Sequence, residues 1–370
     1  MKTKSLSTLA ALCSCCLFAH STVARSWVEV PGPSPAPGAT EGIAAVTDTD
    51  VWSVGFGLQN GFNAALTQHW DGTSWNTVPA QLPSDPYSFL FGVIALNSQN
   101  VWTVGYSLDD AGVVFSNLIE HWDGVSWQIV PSPNVQLASN TLYAISAISP
   151  NDIWAVGYTD TTGGPHHFLP LALHWDGTAW TIVPTPTTAG GLLLAVKAFA
   201  TDDVWAVGER QAQSSHTITS TTYILHWNGT TWRVVQSPNN AVAVNALLGV
   251  SGAASNDVWA VGLTGDSFSD NGALALHWDG LEWTIVPPAA TSGADPLYAV
   301  VAISSRNVMA VGSIDGAPLA ERWNGNTWSV VPTPTAESPA GLVAISAAGK
   351  GSLWASGYQA SGELFLKAAR

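Results

Sequence analysis

The sequence lacks cysteine outside one short segment. Three cysteines occur in 370 residues, Cys13, Cys15 and Cys16, and all of them lie near the N-terminus. If that segment is removed from the mature protein, as its composition indicates below, the remaining chain has no thiol and no disulfide. Catalysis by cysteine and metal sites built from thiolates are then excluded, and the fold must be stable through packing alone.

Charged residues are also scarce, and most of them are acidic. They make up 10% of the chain, with 11 Lys and Arg against 26 Asp and Glu, so the formal net charge is −15. Such a surface repels phosphate backbones and anionic lipids, so nucleic acid and membrane surfaces are not expected partners. After the N-terminal segment, no apolar run reaches the ~20 residues of a membrane-spanning helix.

The first 24 residues have the pattern of a secretory signal peptide. MKTK is a short basic head, and LSTLAALCSCCLFA is an apolar core of the usual length, ~7–15 residues. Small residues place the expected cleavage after Ser21 or Ala24. We therefore expect residues 1–24 to be a signal peptide and 25–370 to be one domain that is secreted, periplasmic or at the cell surface. Acylation of a cysteine is the alternative, although the preceding residues fit a lipid-attachment box poorly.

Two short strings recur along the rest of the chain. One reads DVWAVG in its commonest form and follows an apolar run such as LYAISAIS (142–149); the other is LALHWDGTAW (171–180) and its relatives. The glycines that close the first string are spaced about 50 residues apart, a period typical of propellers and solenoids. They are Gly55, Gly105, Gly157, Gly208, Gly262, Gly312 and Gly357. Four β-rich segments in each unit favour the propeller.

The second string predicts a hairpin. Asp-Gly suits a two-residue type I′ turn, and a turn at Asp176-Gly177 would pair Trp175 with Thr178 and Leu173 with Trp180. Leu171, Leu173, Trp175, Trp180 and Ile182 would then share one sheet face. The 19 tryptophans of the chain all lie at repeat positions. We therefore interpret the tryptophans as packing residues between blades.

The ends of the chain predict how the ring closes. The apolar run and the VWAVG string each occur seven times, but the complete hairpin occurs six times, because the last unit stops at GELFLKAAR (362–370). SWVEVPGPSP (26–35) resembles the outermost strand of another unit, TWSVVPTPTA (327–336). The predicted fold is therefore an all-β, seven-bladed β-propeller with four-stranded blades, in which the N-terminal strand completes the last blade. Closure of the ring removes the free sheet edges that invite aggregation.

The repeat resembles those of kelch and galactose-oxidase-like β-propellers. The resemblance rests on VWAVG and LALHWDGTAWTIVPTP, and it covers residues 26–370. The usual kelch double glycine is missing, because residues such as Phe56 and Glu209 follow the repeat glycine. The Asp-Gly-x-x-Trp turn also looks like the Asp-box of sialidase-like propellers. The copper chemistry of galactose oxidase cannot be carried over, because its crosslinked cysteine has no counterpart in the mature chain.

The connections between strands predict where a ligand binds. The turns near Ser149–Asp152 and at the Asp-Gly pairs are near-copies, whereas the connections on the opposite face are long and varied, such as 158–170 and 209–222. Function concentrates on variable loops of a rigid scaffold, so this long-loop face and its axial pocket are the expected site. The predicted ligand-binding residues are Tyr106, Tyr158, Glu209, Arg210, Tyr358, Asp109 and Asp160.

Histidines and loop carboxylates are the other residue types that could serve in catalysis or metal binding. The histidine before the turn tryptophan is replaced by Arg322 in one unit, which indicates a structural role, since arginine cannot replace an imidazole ligand. His166, His167 and His216 are the other histidines in long loops. The loop acids could form a glycosidase-like pair or bind calcium. They are Asp109, Asp110, Asp160, Glu209, Asp266, Asp270 and Asp315. No metal site and no catalytic residue is predicted.

Three functions are compatible with these features. The first is a secreted binding module that holds a glycan, a peptide or another extracellular protein, since no nucleophile motif and no metal-ligand spacing occurs. The second is a secreted hydrolase or lyase that uses loop carboxylates in the axial pocket, by analogy of fold alone. The third is a structural envelope or matrix protein. The sequence does not identify the ligand.

Overall fold

The computed structural model describes residues 26–33, 38–59, 61–84, 87–109, 114–161, 168–186, 190–213, 218–267, 271–289, 296–349 and 352–368. Within these ranges the chain consists of 28 strands in seven four-stranded antiparallel sheets. Each sheet is one blade of a β-propeller, and this confirms the predicted fold class. None of the described segments forms a helix long and apolar enough to cross a membrane.

The strands of the first four blades follow one another along the chain. Blade 1 contains β2 (Gly38–Thr47), β3 (Asp50–Gln59), β4 (Phe62–Trp70) and β5 (Trp75–Val78). Blade 2 contains β6 (Tyr87–Asn97), β7 (Asn100–Leu108), β8 (Phe115–Trp122) and β9 (Trp127–Ile129). Blade 3 contains β10 (Ser139–Ser149), β11 (Asp152–Asp160), β12 (Phe168–Trp175) and β13 (Trp180–Ile182). Blade 4 contains β14 (Leu192–Ala200), β15 (Asp203–Gln213), β16 (Ile218–Trp227) and β17 (Trp232–Val235).

The last three blades continue the pattern, and the final one uses both ends of the described chain. Blade 5 contains β18 (Val244–Ala254), β19 (Asp257–Gly265), β20 (Asn271–Trp278) and β21 (Trp283–Ile285). Blade 6 contains β22 (Leu297–Ser304), β23 (Asn307–Ile314), β24 (Ala317–Trp323) and β25 (Trp328–Val330). Blade 7 contains β26 (Gly341–Ala348), β27 (Ser352–Gln359), β28 (Gly362–Ala368) and β1 (Trp27–Glu29).

The N-terminal strand closes the ring as predicted. β1 pairs antiparallel with β28, with Trp27 opposite Ala368 and Glu29 opposite Leu366. Trp27 is buried in a cluster with Met309 of blade 6. The first and last described strands thus occupy the same sheet, and its outer position is filled.

Tryptophans of neighbouring blades pack against each other around the ring. Trp154 of β11 lies 5.1 Å from Trp227 and 5.3 Å from Trp232 of the next blade, between ring centroids. Across the junction of blades 7 and 1, Trp354 lies 5.5 Å from Trp70. A buried tryptophan removes ~150–250 Å² from water. The tryptophans therefore supply a large part of the core between blades.

The hairpin turn differs from the predicted register. Trp175 pairs with Trp180, and Leu173 pairs with Ile182, so the connection has four residues instead of two. Asp176 holds it, because its Oδ1 accepts hydrogen bonds from the backbone N–H groups of Thr178 and Ala179. The pairing is shifted by two residues, and side chains alternate with period two. The predicted common face of Leu173, Trp175, Trp180 and Ile182 is therefore unchanged.

Many residues of the connections that were predicted to be long loops are paired in antiparallel strands. β15 and β16 remain paired out to Gln213 and Ile218, and β3 and β4 out to Gln59 and Phe62. The second and third strands thus project as hairpins on the long-loop face, because their backbone groups find partners in each other. Residues just after the repeat glycine are therefore strand residues, and their side chains alternate between the two faces of the blade.

Candidate functional site

Each innermost strand carries a β-bulge opposite the repeat glycine. In blade 3, Leu142 pairs with Gly157 and Ala144 pairs with Val156, so Tyr143 is an extra residue without a partner of its own. The same register shift occurs in the other blades. A bulge bends its strand and redirects the side chain of the extra residue. Here it directs one side chain per blade toward the propeller axis.

The repeat glycine is explained by the bulge. A Cβ added to Gly157 would overlap the backbone carbonyl oxygen of Thr141 on the adjacent strand. The other six repeat glycines meet the equivalent carbonyl oxygen in the same way. Only glycine allows two backbones to approach this closely. The string VWAVG therefore marks the position of the bulge as well as the end of an apolar run.

The seven bulge residues form an axial ring. They line one cavity of about 190 Å³ together with the residues that follow them in each strand. The ring consists of Glu41, Phe91, Tyr143, Leu194, Leu248, Tyr298 and Val343, and all of these side chains are partly buried. The ring lies toward the long-loop face, because each innermost strand enters from that face and ends at the short turn on the other. We call this end of the channel the axial mouth.

An aromatic belt extends from the axial mouth over blades 1 to 3. Its rings lie 4.9 to 5.8 Å from their neighbours between centroids, as in Phe56–Phe89 at 4.9 Å, Phe91–Tyr143 at 4.9 Å and Tyr143–Tyr158 at 5.8 Å. The belt comprises Phe56, Phe89, Phe91, Tyr106, Phe115, Tyr143, Tyr158 and Phe168, each partly exposed. Aromatic surface that is neither fully buried nor isolated is typical of interaction sites.

Two tyrosines of the belt, Tyr106 and Tyr143, have a pKa above the ordinary value and are neutral at physiological pH. Burial raises the pKa of Tyr106, and the nearby Tyr158 adds to the effect. Burial also raises the pKa of Tyr143, with further contributions from Tyr158, Tyr106 and Glu41. A neutral phenol can both donate and accept a hydrogen bond. The belt therefore combines apolar surface with a few polar contacts for a ligand.

Three of the predicted ligand-binding residues lie beside members of the axial ring. Tyr106 and Tyr158 belong to the aromatic belt. Tyr358 lies on the other side of the mouth, is 38% exposed, and has a pKa that is raised by burial and by the adjacent Tyr298 of the ring. The three tyrosines therefore lie on the long-loop face, and their role in ligand binding stays a prediction.

Glu209 and Arg210 lie in different surroundings from the ones predicted. Glu209 is 6% exposed, and its carboxyl group accepts a hydrogen bond at 2.8 Å from the side-chain amide of Gln211. Arg210 points to the opposite face of the blade, where its guanidinium lies 4.1 Å from the ring of Tyr223. Successive strand residues face opposite sides. The two side chains therefore cannot act together, and Glu209 is not presented to a ligand as a loop carboxylate would be.

The acidic candidates are distributed over several blades. Asp109 is tied to the hairpin end of blade 2, where its Oδ1 accepts a hydrogen bond from the backbone N–H of Val114. Asp160 is the last residue of β11 and pairs with Phe168. Asp315 occupies a tight Asp-Gly turn with φ of 49°, and Asp266 is exposed. Asp110, Asp270, His166, His167 and His216 lie outside the described residues.

Glu41 is the only ionisable carboxyl group in the axial ring. Burial raises its pKa to about 7. Lys197 lines the same channel at the short-turn end, together with Ala45 and Ser146, and burial lowers its pKa. The channel thus has an acidic end at the long-loop face and a basic end at the short-turn face.

The histidines before the turn tryptophans are held by the scaffold. The Nε2 atom of His174 lies 2.8 Å from Oδ1 of Asp152, and its ring lies 4.5 Å from that of Trp154. His69, His226 and His277 make the same contact with an aspartate. His121 contacts an asparagine instead, as does Arg322 through Nε. The pattern gives these residues a packing role on the outer part of each blade.

Metal binding finds no support in the part of the chain that the structure describes. No group of three or more His, Cys, Asp or Glu side chains within those ranges is arranged to hold a metal ion. Two of the loop acids considered for calcium, Asp110 and Asp270, lie outside the described ranges.

The residues of the axial ring were not predicted from the sequence, although their position in the repeat is a signal that could have identified them. Its members occupy one column of the repeat, between the two residues that pair on either side of the bulge, as Tyr143 does in LYAISAIS. The bulge itself has no reliable sequence signature. The glycine opposite it does, because that glycine is required by the close backbone approach.

Comparisons with known proteins agree on the fold. No family model and no curated protein matches the chain. Among solved structures, the chain is similar to YCF48 bound to D1 peptide, with a TM-score of 0.57 and 14% identity over 93% of this chain and 97% of that one. It is also similar to the WD40 β-propeller domain of Doa1, with a TM-score of 0.59 and 10% identity over 94% of this chain and 97% of that one. A third similar structure is a protein of unknown function from Dyadobacter fermentans. Its TM-score is 0.55, and it is 11% identical over 93% of this chain and 97% of that one. The TM-scores and the coverage establish the propeller fold, and the kelch-like family remains an untested prediction.

Proposed function

We propose that this protein is a binding module that holds a peptide segment of a partner protein across the aromatic belt and the axial mouth. The observation that carries the proposal is the position of the belt. Eight partly exposed aromatic side chains form a continuous surface over three blades and reach the axis through Phe91 and Tyr143.

The asymmetry of the propeller supports this face as the binding surface. The short-turn face is built from near-copies of one turn, such as Asp176–Ala179 and Asp279–Glu282. Such a face repeats the same groups in every blade and offers little that distinguishes one ligand from another. The belt occupies blades 1 to 3, whereas the corresponding positions in blades 4 to 6 are Glu209, Leu263 and Ser313. A unique surface is what specific recognition requires.

A peptide fits the belt better than a glycan. The rings pack against each other, as in the pair Phe89–Tyr106 at 5.0 Å and 29° between planes, so much of each ring face is already covered. A sugar needs an open ring face and several hydrogen-bonding groups around it. Apolar and aromatic peptide side chains need only the partly exposed apolar surface that the belt provides. The YCF48 structure is titled as bound to a peptide, which is compatible with this use of the fold.

We further propose that binding takes place outside the cytoplasm. The support is the signal-peptide pattern of residues 1–24, which lie outside the described structure. A partner in that location is an extracellular or envelope protein. The hydrolase or lyase alternative keeps its basis in fold analogy alone, and the packing of Glu209 removes one of its candidate carboxylates.

A peptide-display selection against the folded protein tests the proposal. We expect enriched peptides whose affinity decreases by a factor of ~5–150 in Tyr106→Ala or Tyr158→Ala, since hot-spot aromatic residues contribute ~1–3 kcal/mol. Leu281→Ala is the matched control, because Leu281 is 85% exposed on the short-turn face. Each variant must first show a wild-type melting temperature. If no peptide is enriched, or if binding is lost in Leu281→Ala and kept in the tyrosine variants, the proposal is wrong.

A further inference from the structure

The axial ring contains one charged side chain among apolar and aromatic ones. Glu41 stands at the bulge of β2, where no residue of β3 pairs opposite it. The other six members are Phe91, Tyr143, Leu194, Leu248, Tyr298 and Val343. A carboxyl group is an unusual choice for this position, because the cavity wall gives it little to interact with.

Glu41 has no compensating cation in the part of the chain that the structure describes. None of the ion pairs found there includes it, and burial is the only identified cause of its raised pKa. Lys197 lines the channel farther toward the short-turn face and does not line the cavity that contains Glu41. A partly buried carboxylate without a partner is costly in free energy. A positively charged ligand group would reduce that cost.

Aromatic rings stand beside this carboxyl group. Phe91 is the next member of the ring, and blades 1 and 2 touch there, because a Cβ on Gly42 would meet the carbonyl oxygen of Phe91 at 2.5 Å. Tyr143 follows at 4.9 Å from Phe91, and it is close enough to Glu41 for the carboxyl charge to affect its pKa. Aromatic faces attract cations, most strongly where water is excluded.

We propose that the axial mouth binds a basic side chain, the ammonium of lysine or the guanidinium of arginine, with Glu41 as its counter-ion and Phe91 and Tyr143 as aromatic walls. This inference rests on the proposed function, because the belt would hold the peptide that carries the basic residue. The aromatic surface then supplies most of the contact area, and Glu41 selects for charge. The net charge of −15 favours the approach of basic peptides.

The structure also indicates which ligands this subsite disfavours. An acidic or phosphorylated side chain would meet the Glu41 carboxylate without a cation to offset it, since Lys197 lies toward the short-turn end of the channel. A neutral side chain would leave the carboxylate unpaired. Charge, more than shape, is therefore the property that the axial mouth selects.

The test uses peptides enriched on the wild-type protein and matched substitutions in both partners. Each basic residue of a peptide is replaced by norleucine in turn, and affinities are measured at pH 8 for wild type, Glu41→Gln and Glu282→Gln. Glu282 is an exposed acid on the short-turn face. We expect one basic residue whose replacement weakens wild-type binding about tenfold or more, the scale of a desolvated cation contact. That loss should disappear in Glu41→Gln and persist in Glu282→Gln.

The outcomes separate this inference from the proposed function. Peptides that depend on Tyr106 and Tyr158 but bind Glu41→Gln as tightly as wild type would overturn the cation subsite and leave the binding module intact. A second arm uses Nα-acetyl-lysine methylamide, whose side-chain ammonium is free, and its norleucine analogue. Binding of each at millimolar concentration is measured by ligand-observed NMR. Selective binding of the lysine compound to wild type over Glu41→Gln supports the subsite even without a peptide, whereas equal behaviour of both compounds overturns it. Glu41→Gln is nearly isosteric, and its melting temperature verifies that it is folded.

Discussion

The carboxyl group of Glu363 accepts two hydrogen bonds from the side-chain amide of Gln68, at 3.0 and 3.1 Å, across the junction between the last blade and the first. The backbone N–H of Ala45 donates to the Oγ atom of Ser346 at the same junction. Ser146 and Ser251 accept equivalent hydrogen bonds at other junctions. The junction where the chain ends meet is therefore built like the rest of the ring.

Loss of the N-terminal strand should destabilise the whole propeller. Deletion of residues 26–31 exposes the edge of β28 and removes the buried Trp27. The milder variant Trp27→Ala should lower the free energy of unfolding by about 3–5 kcal/mol, the usual cost of a buried large-to-alanine substitution. Thermal and denaturant unfolding measure both. A truncated protein as stable as the parent would show that β1 does not close the ring.

Stability should decrease as the pH rises from 5 to 9. Burial raises the pKa of Glu120 to about 8 and that of Glu363 to about 7, well above the ~4.3 of an unfolded glutamate. The folded state therefore binds protons more readily, so this stabilisation is complete below the unfolded pKa and is lost as the pH rises through 7 to 8. The melting temperature measured against pH reports the effect.

The variant Glu120→Gln should flatten that profile. It keeps an acceptor for the backbone N–H of Gln81 and removes the carboxylate that ionises at high pH. Its melting temperature should exceed that of wild type at pH 9 and approach it at pH 5. Glu29→Gln is the control, since Glu29 is exposed. Parallel pH profiles for wild type and Glu120→Gln would contradict the assignment.

The turn aspartates should determine stability at lower pH. Hydrogen bonds from Thr178 and Ala179 lower the pKa of Asp176 to about 2. The stabilisation from such a group is present above the unfolded pKa of ~3.9 and is lost as the pH falls toward the folded value. We therefore expect a maximum of the melting temperature near pH 5, with a decrease on both sides. A maximum at pH 8 or above would be inconsistent with these opposing shifts.

The residue that contacts the structural histidine is an aspartate in some blades and an asparagine in another, so exchange of the two can be tested. Asp152 binds His174, whereas Asn100 occupies the same position opposite His121. Asp152→Asn should therefore change stability by less than ~0.5 kcal/mol, while Asp152→Ala should cost ~1–3 kcal/mol for the unpaired, partly buried imidazole. Neither should affect peptide binding. Unfolding curves and binding assays on both variants check this; lost binding at an unchanged melting temperature would indicate a functional histidine.

The repeat glycine should tolerate no side chain. Gly157→Ala places a methyl group against the carbonyl oxygen of Thr141, so the bulge that orients Tyr143 must shift. We expect a loss of roughly 2 kcal/mol or more, in the range of strained core substitutions, together with weaker peptide binding. Gly32→Ala is the control, because its Cβ would meet Phe365 at an ordinary 3.4 Å. Equal unfolding curves for the two variants would contradict the role of the glycine.

The fold could be predicted from the sequence because every blade repeats the same physical solution. The apolar VWAVG strand, the Asp-Gly turn and the paired tryptophans specify four strands and their common face, and β1 could be assigned from its likeness to other outer strands. The turn register could not be predicted, since Asp-Gly also suits the four-residue turn that Asp176 stabilises through its own side chain.

The site was only partly predictable. Tyr106 and Tyr158 follow the repeat glycine and lie beside the axial ring, whereas Glu209 is buried at the same position of its own repeat. Its blade extends the ladder to Gln213, and Glu209 is buried there beside Gln211. Glu41 was missed, since a bulge changes side-chain direction without changing the apolar pattern around it.

The proposed binding surface is the aromatic belt and the axial mouth on the long-loop face. Photo-crosslinking with an enriched peptide that carries a benzophenone residue, followed by mass spectrometry, tests it most directly. We expect crosslinks to segments 87–91, 104–109, 141–145 and 156–160, and to the region around Glu41. Crosslinks concentrated instead at the Asp-Gly turns, such as 123–126 and 176–179, would contradict it.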